Sequence, residues 1–177
     1  YGQGVSDVKH KIKSNISFDS DHIFLSSEKA TATSNAATVS VSVFSNPGVG
    51  LVNPDTGEWL GGFRTDYMGP LSIDVAPDGI VWAARLYAND IARIDPATDE
   101  ITMIDFPYNG PRRLRVDADG IVWIVAFQDS LLVKYDPKAD TFTSFELPVV
   151  NELPYALNVD RERGVVWVNG NQSDTIL

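Results

Sequence analysis

The chain contains no cysteine, and this absence excludes several kinds of chemistry. Its 177 residues hold no disulfide, no thiolate zinc site and no cysteine nucleophile. No apolar run approaches the ~18 residues that a membrane-spanning helix needs. Only two histidines are present, His10 and His22, and neither has a partner at the spacing of a metal site or a catalytic triad. The simplest interpretation of both is a surface or strand histidine.

Basic residues are scarce as well. Lysine and arginine total 14 against 24 aspartates and glutamates, so the formal net charge is -10. Phosphate binding needs a basic face, so this charge argues against a nucleic-acid partner. Asn15-Ile-Ser17 and Asn171-Gln-Ser173 match the glycosylation acceptor pattern, and the first residue is not Met. We therefore expect an exported protein, extracellular or periplasmic.

What the sequence does contain is a repeated segment. Gly110 to Phe127 (GPRRLRVDADGIVWIVAF) has a near-copy at Gly69 to Leu86 (GPLSIDVAPDGIVWAARL) and a looser copy at Leu153 to Asn169 (LPYALNVDRERGVVWVN). The tryptophans that mark the period are Trp82, Trp123 and Trp167. Their spacing of 41 and then 44 residues is typical of a repeat architecture.

Each repeat predicts four short β-strands. In the best copy these are Leu114 to Val116, Ile121 to Ala126, Leu131 to Tyr135 and Thr141 to Leu147. Asp119-Gly120 predicts a tight turn in which Gly supplies a positive φ, and Asp136-Pro137 predicts a second turn. Short strands at this spacing, with no helical stretch, predict an all-β protein. Four strands per roughly 40–45 residues predict the blade of a β-propeller.

The blades are predicted to occupy residues 38–177. The prolines Pro54, Pro96 and Pro137 extend the repeat back to Gly48. The predicted blades are residues 38–66, 67–107, 108–148 and 149–177, the last of them truncated. Residues 1–37 are predicted to form an N-terminal β segment, either a degenerate blade or an Ig-like piece, and the sequence leaves both open. The expected fold is thus an incomplete propeller of about four blades.

The repeat resembles the blades of the virginiamycin B lyase (streptogramin lyase) family. The resemblance is carried by Gly-Pro-x-x-Ile-x-Val-x-x-Asp-Gly-x-Val-Trp, then Asn-x-Ile-x-x-Ile and Glu-Ile-Thr-x-x-x-x-Pro, and it covers Gly48 to Leu177. It implies a seven-bladed propeller, related in blade style to NHL-repeat and gluconolactonase-type propellers. Seven blades would need about 290 residues. We therefore expect either a fragment of a longer chain or a ring that another chain completes.

The resemblance also implies a magnesium-dependent lyase that opens a macrocyclic ester without water. In that family a catalytic His follows a blade-opening Pro, and a Glu lies three residues after a blade Trp. The residues after the prolines are here Leu71, Arg112 and Tyr155. The residues three after the tryptophans are Arg85, Ala126 and Gly170. We therefore predict no catalytic residue, no metal site and no cofactor in this chain, with magnesium relevant only to a longer, lyase-type chain.

Candidate binding residues lie in the loops of one propeller face, where the loop before the innermost strand and the loop after the second strand emerge together. This face would carry Tyr67, Met68, Arg85, Tyr87, Asn109, Arg112, Arg113, Phe127, Gln128, Glu152, Tyr155, Asn169 and Asn171. Aromatic and arginine side chains together favour a binding surface, and arginine suits an anionic group or a partner's acidic patch. The predicted ligand-binding or partner-binding residues are Arg85, Tyr87, Arg112, Arg113, Phe127, Tyr155 and Asn169. By the resemblance, Tyr155 matches a Pro-Tyr-Gly-Ile element that contributes an aromatic to the family's pocket.

Two functions remain open at this point, because fold does not carry function. The first is a non-catalytic binding or scaffold module that receives a protein or a small molecule on this face. The second is a magnesium-dependent C–O lyase whose catalytic blade lies outside residues 1–177. A continuation containing Pro-His near a blade start and then Trp-x-x-Glu would favour the enzyme.

Overall fold

The computed structural model describes residues 23–26, 39–43, 48–53, 55–64, 70–149, 151–172 and 176–177. Every regular element within these ranges is a β-strand, so the predicted all-β class is confirmed. No helix in the described part of the chain has the length and apolar character needed to cross a membrane. Tyr67 and Met68, which were predicted to lie on the binding face, are outside the described residues.

The first sheet is a four-stranded antiparallel blade. Blade 1 consists of β1 (Ile23–Ser26), β2 (Val39–Val43), β3 (Gly48–Val52) and β4 (Trp59–Arg64), hydrogen-bonded in that order. Strand β2 pairs with β1 on one side and with β3 on the other. The division of the chain at residue 37 stays a prediction.

The second and third sheets repeat this arrangement. Blade 2 consists of β5 (Ser72–Val75), β6 (Val81–Arg85), β7 (Asp90–Asp95) and β8 (Glu100–Asp105). Blade 3 consists of β9 (Pro111–Val116), β10 (Val122–Ala126), β11 (Leu131–Asp136) and β12 (Thr141–Glu146). The strands predicted from the repeat agree with these bounds to within a few residues. The predicted Asp-Gly turns are also confirmed, because Gly79 and Gly120 have φ values of 88° and 84°.

The fourth sheet is shorter. Blade 4 consists of β13 (Pro154–Asp160) and β14 (Val165–Gly170), which pair antiparallel. Ile176 forms a single bridge with Asn169, and the backbones of Val168 and Leu177 exchange two hydrogen bonds. The described part of the chain therefore contains three four-stranded blades and a partial fourth, which agrees with the expected propeller of about four blades.

Apolar side chains between neighbouring blades form the core. Side chains alternate across a strand, so each blade presents one apolar layer to the blade before it and one to the blade after it. The layer between blades 2 and 3 includes Trp82, Ala84, Ile91, Leu114, Val116, Ile124 and Val133. The layer between blades 1 and 2 includes Val49, Phe63, Ile73, Ala83 and Ala92. The innermost strands β5, β9 and β13 lie side by side around the axis.

The three repeat tryptophans show how much each blade is covered by the next. Trp82 of blade 2 is 2% exposed, because the complete blade 3 packs on it. Trp123 of blade 3 is only partly buried against the two-stranded blade 4. Trp167 of blade 4 is 50% exposed. One repeat position therefore has three different environments, and the burial of the tryptophan follows the extent of the following sheet.

A polar contact near the axis joins blades 2, 3 and 4. The buried Asp74 Oδ2 atom accepts a hydrogen bond from Val116 N at 2.7 Å. Arg161 of the β13–β14 turn donates from Nε to Val116 O at 2.9 Å and lies 3.4 Å from Asp74 Oδ2 through Nη2. Burial raises the pKa of Asp74 above its ordinary value, against the opposing effects of these hydrogen bonds and of Arg115 and Arg161. This carboxyl therefore links three innermost strands.

Replacing Trp82 by alanine should destabilise the fold more than replacing Trp167, because only Trp82 is covered by a following blade. Trp82→Ala should lower the free energy of unfolding by about 3–5 kcal/mol, because it removes a large buried side chain. Trp167→Ala should lower it by about 1 kcal/mol or less, because half of that side chain is already in water. Urea denaturation of both variants measures the difference. Equal losses would contradict the assignment of Trp82 to a blade-to-blade layer.

Replacing Asp74 by asparagine should change the pH dependence of stability. The pKa of Asp74 is higher in the folded chain than its ordinary 3.8, so its contribution to stability is fully present below that value and is lost as pH rises through the folded pKa. The stability of the parent chain minus that of Asp74→Asn should therefore fall as pH rises above the ordinary pKa of 3.8. Urea midpoints at several pH values test this. A difference that grows with pH would mean that Arg115 and Arg161 outweigh burial.

Candidate functional site

Two kinds of loop meet on one face of the propeller, as the repeat predicts. Asn89, in the β6–β7 turn of blade 2, donates from Nδ2 to Phe106 O at 3.1 Å and to Tyr108 O at 2.9 Å. Its Oδ1 atom accepts a hydrogen bond from Gly110 N at 2.9 Å. One side chain therefore ties the turn after a second strand to the loop that leads into the next blade. We call this side of the molecule the loop face.

Similar contacts continue around the loop face. Asn109 donates from its backbone N to Asp129 Oδ2 at 2.8 Å and from Nδ2 to Asp129 Oδ1 at 2.9 Å. Ser130 Oγ accepts a hydrogen bond from Leu153 N at 3.2 Å. These bonds connect the β10–β11 turn of blade 3 to the loops on both of its sides. The loops are thus braced before any ligand arrives, which lowers the entropy lost on binding.

The buried Glu152 occupies a defined place at the edge of the loop face. It is fully buried, and its backbone O accepts a hydrogen bond from Asn171 N at 3.0 Å. Its carboxylate lies directly over Gly170, in the space that the Cβ atom of any other residue would need. Gly170 is the residue three after Trp167, which is the spacing at which the resemblance implies a Glu after a blade Trp. Here a carboxylate reaches this place from Glu152 instead.

The residues that follow the blade-opening prolines come together near the axis. Arg112 follows Pro111 on β9, and Tyr155 follows Pro154 on β13. The Cζ atom of Arg112 lies 3.8 Å from the ring centroid of Tyr155 and 4.8 Å from that of Phe127. The two rings meet edge to face with centroids 6.5 Å apart. A guanidinium over aromatic faces is a favourable cation–π arrangement.

A second arginine, Arg113, also lies near Tyr155. Arg113 Cζ lies 5.7 Å from the ring centroid of Tyr155, and its Nη1 atom donates to Leu71 O at 2.6 Å. Burial lowers the pKa of Arg113 from its ordinary value. We refer to Arg112, Arg113, Phe127 and Tyr155 as the arginine–aromatic cluster. It joins blades 3 and 4 at the inner edge of the loop face.

The electrostatics of the cluster favour an acceptor of negative charge. No carboxylate within the described ranges forms a salt bridge with Arg112, although the chain as a whole is acidic. The Arg112 Nε atom is buried and has no hydrogen-bond partner. Hydrogen bonding to Arg112 and its positive charge, helped by the charge of Arg113, lower the pKa of Tyr155 from its ordinary value. Tyr155 itself remains 36% exposed.

The other three predicted site residues lie apart from the cluster. Arg85 is 5% exposed and forms a salt bridge with Asp90, with Nε donating to Oδ1 at 2.6 Å. Tyr87 is 63% exposed on the β6–β7 turn. Asn169 Oδ1 accepts a hydrogen bond from Ala156 N at 2.7 Å, beside the irregularity between Pro154 and Ala156. The geometry gives Arg85 and Asn169 structural contacts, and their binding roles stay predictions.

Sequence reasoning placed Asn109 on the loop face but did not identify Asn89, Asp129 and Ser130, which also brace it. Asn89 and Ser130 occupy the same place before the third strand of blades 2 and 3, and both have a positive φ, of 58° and 57°. Aligning the blades shows a polar residue at this position in both, and this repetition could have identified Asn89 and Ser130 from the sequence. Asp129 carries no such signal, because its partner Asn109 lies in a loop that differs between the blades.

The described residues do not fit a magnesium site. Magnesium prefers several oxygen ligands, commonly carboxylates. Within the described part of the chain, no group of three or more His, Cys, Asp or Glu side chains is close enough to hold a metal ion. At the spacings where the resemblance implies a His or a Glu, this chain has Leu71, Arg112, Tyr155, Arg85, Ala126 and Gly170.

Comparison with solved structures identifies the architecture. A streptogramin B lyase structure superposes with a TM-score of 0.70 at 16% identity, covering 82% of this chain and 48% of that one. Virginiamycin B lyase from Staphylococcus aureus gives a TM-score of 0.66 at 16% identity, covering 80% and 51%. Kuenenia stuttgartiensis hydrazine synthase gives 0.66 at 12% identity, covering 81% and 45%. This chain thus spans about half the length of these proteins.

Sequence comparison adds no family to this likeness. No family model matches the chain, and no curated protein matches it. Identities of 12–17% with the solved structures establish a shared fold and leave activity open. The chain is an all-β protein built from propeller blades like those of the streptogramin and virginiamycin B lyases.

Proposed function

We propose that this chain is a non-catalytic binding module and that its arginine–aromatic cluster is the binding site. The observation that carries the proposal is the environment of Arg112. Its guanidinium lies over two rings, makes no salt bridge within the described ranges and has a buried Nε atom without a partner. A buried donor without an acceptor is unfavourable, so an incoming acceptor would be bound strongly. The braced loops around it support a preformed site.

The ligand proposed for this site is an anion attached to a flat, apolar group. The guanidinium of Arg112 lies close to the rings of both Tyr155 and Phe127, which limits the positions that it can take. A carboxylate can accept two parallel hydrogen bonds from a guanidinium. The exposed part of Tyr155 offers an apolar surface to whatever the anion is attached to. A free anion and an acidic side chain of a partner protein offer this site the same chemistry.

We also propose that a further β-sheet covers the outer face of blade 4, supplied by the rest of a longer chain or by another chain. Val165, Trp167 and Ile176 are 40%, 50% and 76% exposed on this blade. The equivalent Trp82 is buried by a neighbouring blade. Exposed apolar surface of this kind marks an interface. An extracellular or periplasmic location, inferred from the sequence, remains part of the proposal.

Benzoate is a suitable probe for the cluster because it joins a carboxylate to a ring. We expect benzoate to shift the NMR signals of Arg112 Nε–H and of the Tyr155 ring in a saturable way. The neutral amide benzamide should bind at least about tenfold more weakly, since it lacks the charge that strengthens the hydrogen bonds. Arg112→Gln should weaken benzoate binding by a similar factor.

Arg163→Gln is the matched control, because Arg163 is a mostly exposed arginine whose Nη1 atom lies 2.9 Å from Asp160 Oδ2, away from the cluster. It should leave benzoate binding unchanged. Benzamide binding as well as benzoate, or Arg112→Gln binding as well as the parent chain, would overturn the proposal. The chain with magnesium and a streptogramin-type ester should also show no ring opening.

The alternative function is a magnesium-dependent C–O lyase whose catalytic blade lies outside this chain. The specific observation in its favour is the Glu152 carboxylate over Gly170, a residue at the spacing where the resemblance implies a Glu. The other metal ligands and the catalytic His would then have to come from outside the described residues. Turnover of the ester by a longer chain, abolished by Glu152→Gln, would support this alternative over the binding module.

A further inference from the structure

A cleft lies on the side of the molecule opposite the loop face. It has a volume of about 490 Å³ and is formed where blade 2 meets blade 3. Its walls come from the β5–β6 turn, the β9–β10 turn and the β11–β12 turn. Ala76, Ile80 and Trp82 form a buried floor, with exposures of 2%, 8% and 2%. The proposed binding module does not use this cleft.

Blade 3 shows what the floor of the cleft lacks. There Trp123 Nε1 donates a hydrogen bond to Asp117 Oδ2 at 2.9 Å. The matching turn in blade 2 has the same backbone bonds, because Ala76 N donates to Ile80 O at 2.8 Å as Asp117 N donates to Ile121 O at 3.0 Å. Ala76 therefore stands where Asp117 stands. Trp82 Nε1 donates no hydrogen bond to a described residue, and this nitrogen keeps some contact with solvent although the residue as a whole is only 2% exposed.

Two basic side chains, Arg93 and Lys138, line the cleft together with the Trp82 indole. Arg93 is the cross-strand partner of Trp82, as Lys134 is of Trp123, and it lines the cleft. Lys138 lies at the rim. Because Arg93 shares a face of the sheet with Trp82, an anion on the floor would meet both an N–H donor and a positive charge.

The acidic residues of the cleft lie in its turns, above the floor. Asp78 Oδ1 accepts a hydrogen bond from Ile80 N at 3.1 Å, and Asp136 Oδ1 accepts one from Lys138 N at 2.9 Å. Asp119 is exposed at the tip of its turn. Arg93 is 3.9 Å from Asp95 through Nη2, a distance at which its charge is only partly compensated. The floor therefore favours an acceptor while the rim carries both signs of charge.

We infer that this cleft binds a small aliphatic carboxylate. The carboxylate takes the place that Asp117 fills in blade 3, accepting the hydrogen bond of Trp82 Nε1 beside Arg93. The aliphatic part lies against Ile80, Ile121 and the ring of Pro137, which line the same cleft. The inference is independent of the binding site proposed at Arg112.

Hexanoate and its neutral and cationic analogues test the inference. Hexanoate should shift the Trp82 Nε1–H signal saturably, with the signal assigned from a Trp82→Phe spectrum. Hexanamide and hexylamine should bind at least about tenfold more weakly, because they lack the anionic acceptor. Arg112→Gln should leave the response unchanged, which separates this cleft from the arginine–aromatic cluster.

Ala76→Asp is the decisive variant, since it recreates the arrangement that blade 3 already contains. It should reduce hexanoate binding at least about tenfold by supplying the acceptor from the chain itself. Should this variant fail to fold, Arg93→Gln carries the test with the same expected loss, and Arg163→Gln is its unaffected control. Hexanoate binding that persists in both variants, equal binding of hexanamide, or no Trp82 response at all would overturn the inference.

Discussion

The structure depends on the packing of one blade face against the next. Each blade has two faces, and only the covered faces keep their apolar side chains out of water. Ile91 and Ile124, which lie in the layer between blades 2 and 3, are fully buried, whereas Trp167 on the outer face of blade 4 is half exposed. The stability of a repeat array comes largely from such neighbour interfaces. Among the described residues, the uncovered face of blade 4 is therefore a place where another sheet would add stability.

Much of the fold could be predicted from the sequence because the blade is a local unit. The Asp-Gly turn at Gly120 and the alternating strand around Trp123 are each specified by neighbouring residues, and their repetition makes the assignment strong. Contacts between blades could not be predicted in this way. The link from Asp74 to Arg161 spans 87 residues and depends on an arginine in a turn that the other blades do not share.

The candidate site was predicted in part for the same reason. The repeat places Arg112 and Tyr155 at equivalent positions, and neighbouring blades bring equivalent positions together near the axis. Arg85 is an arginine like Arg112, but it forms a buried salt bridge with Asp90. The repeat spacing did not predict this salt bridge. The aligned turns show that Ala76 replaces the aspartate of blade 3. The consequence for Trp82 follows only from the structure, in which Trp123 Nε1 donates a hydrogen bond to Asp117.

Native-state hydrogen exchange tests the dependence on blade packing most directly, because it measures the opening free energy of each strand separately. Strand β10 lies between two blades, and β14 has one covered face. Amides of β14, around Val166 and Val168, should exchange through local openings at a clearly lower free energy than those of β10, around Ile124. Equal protection of the two strands would contradict this dependence, since covered and uncovered faces would then stabilise the blades alike.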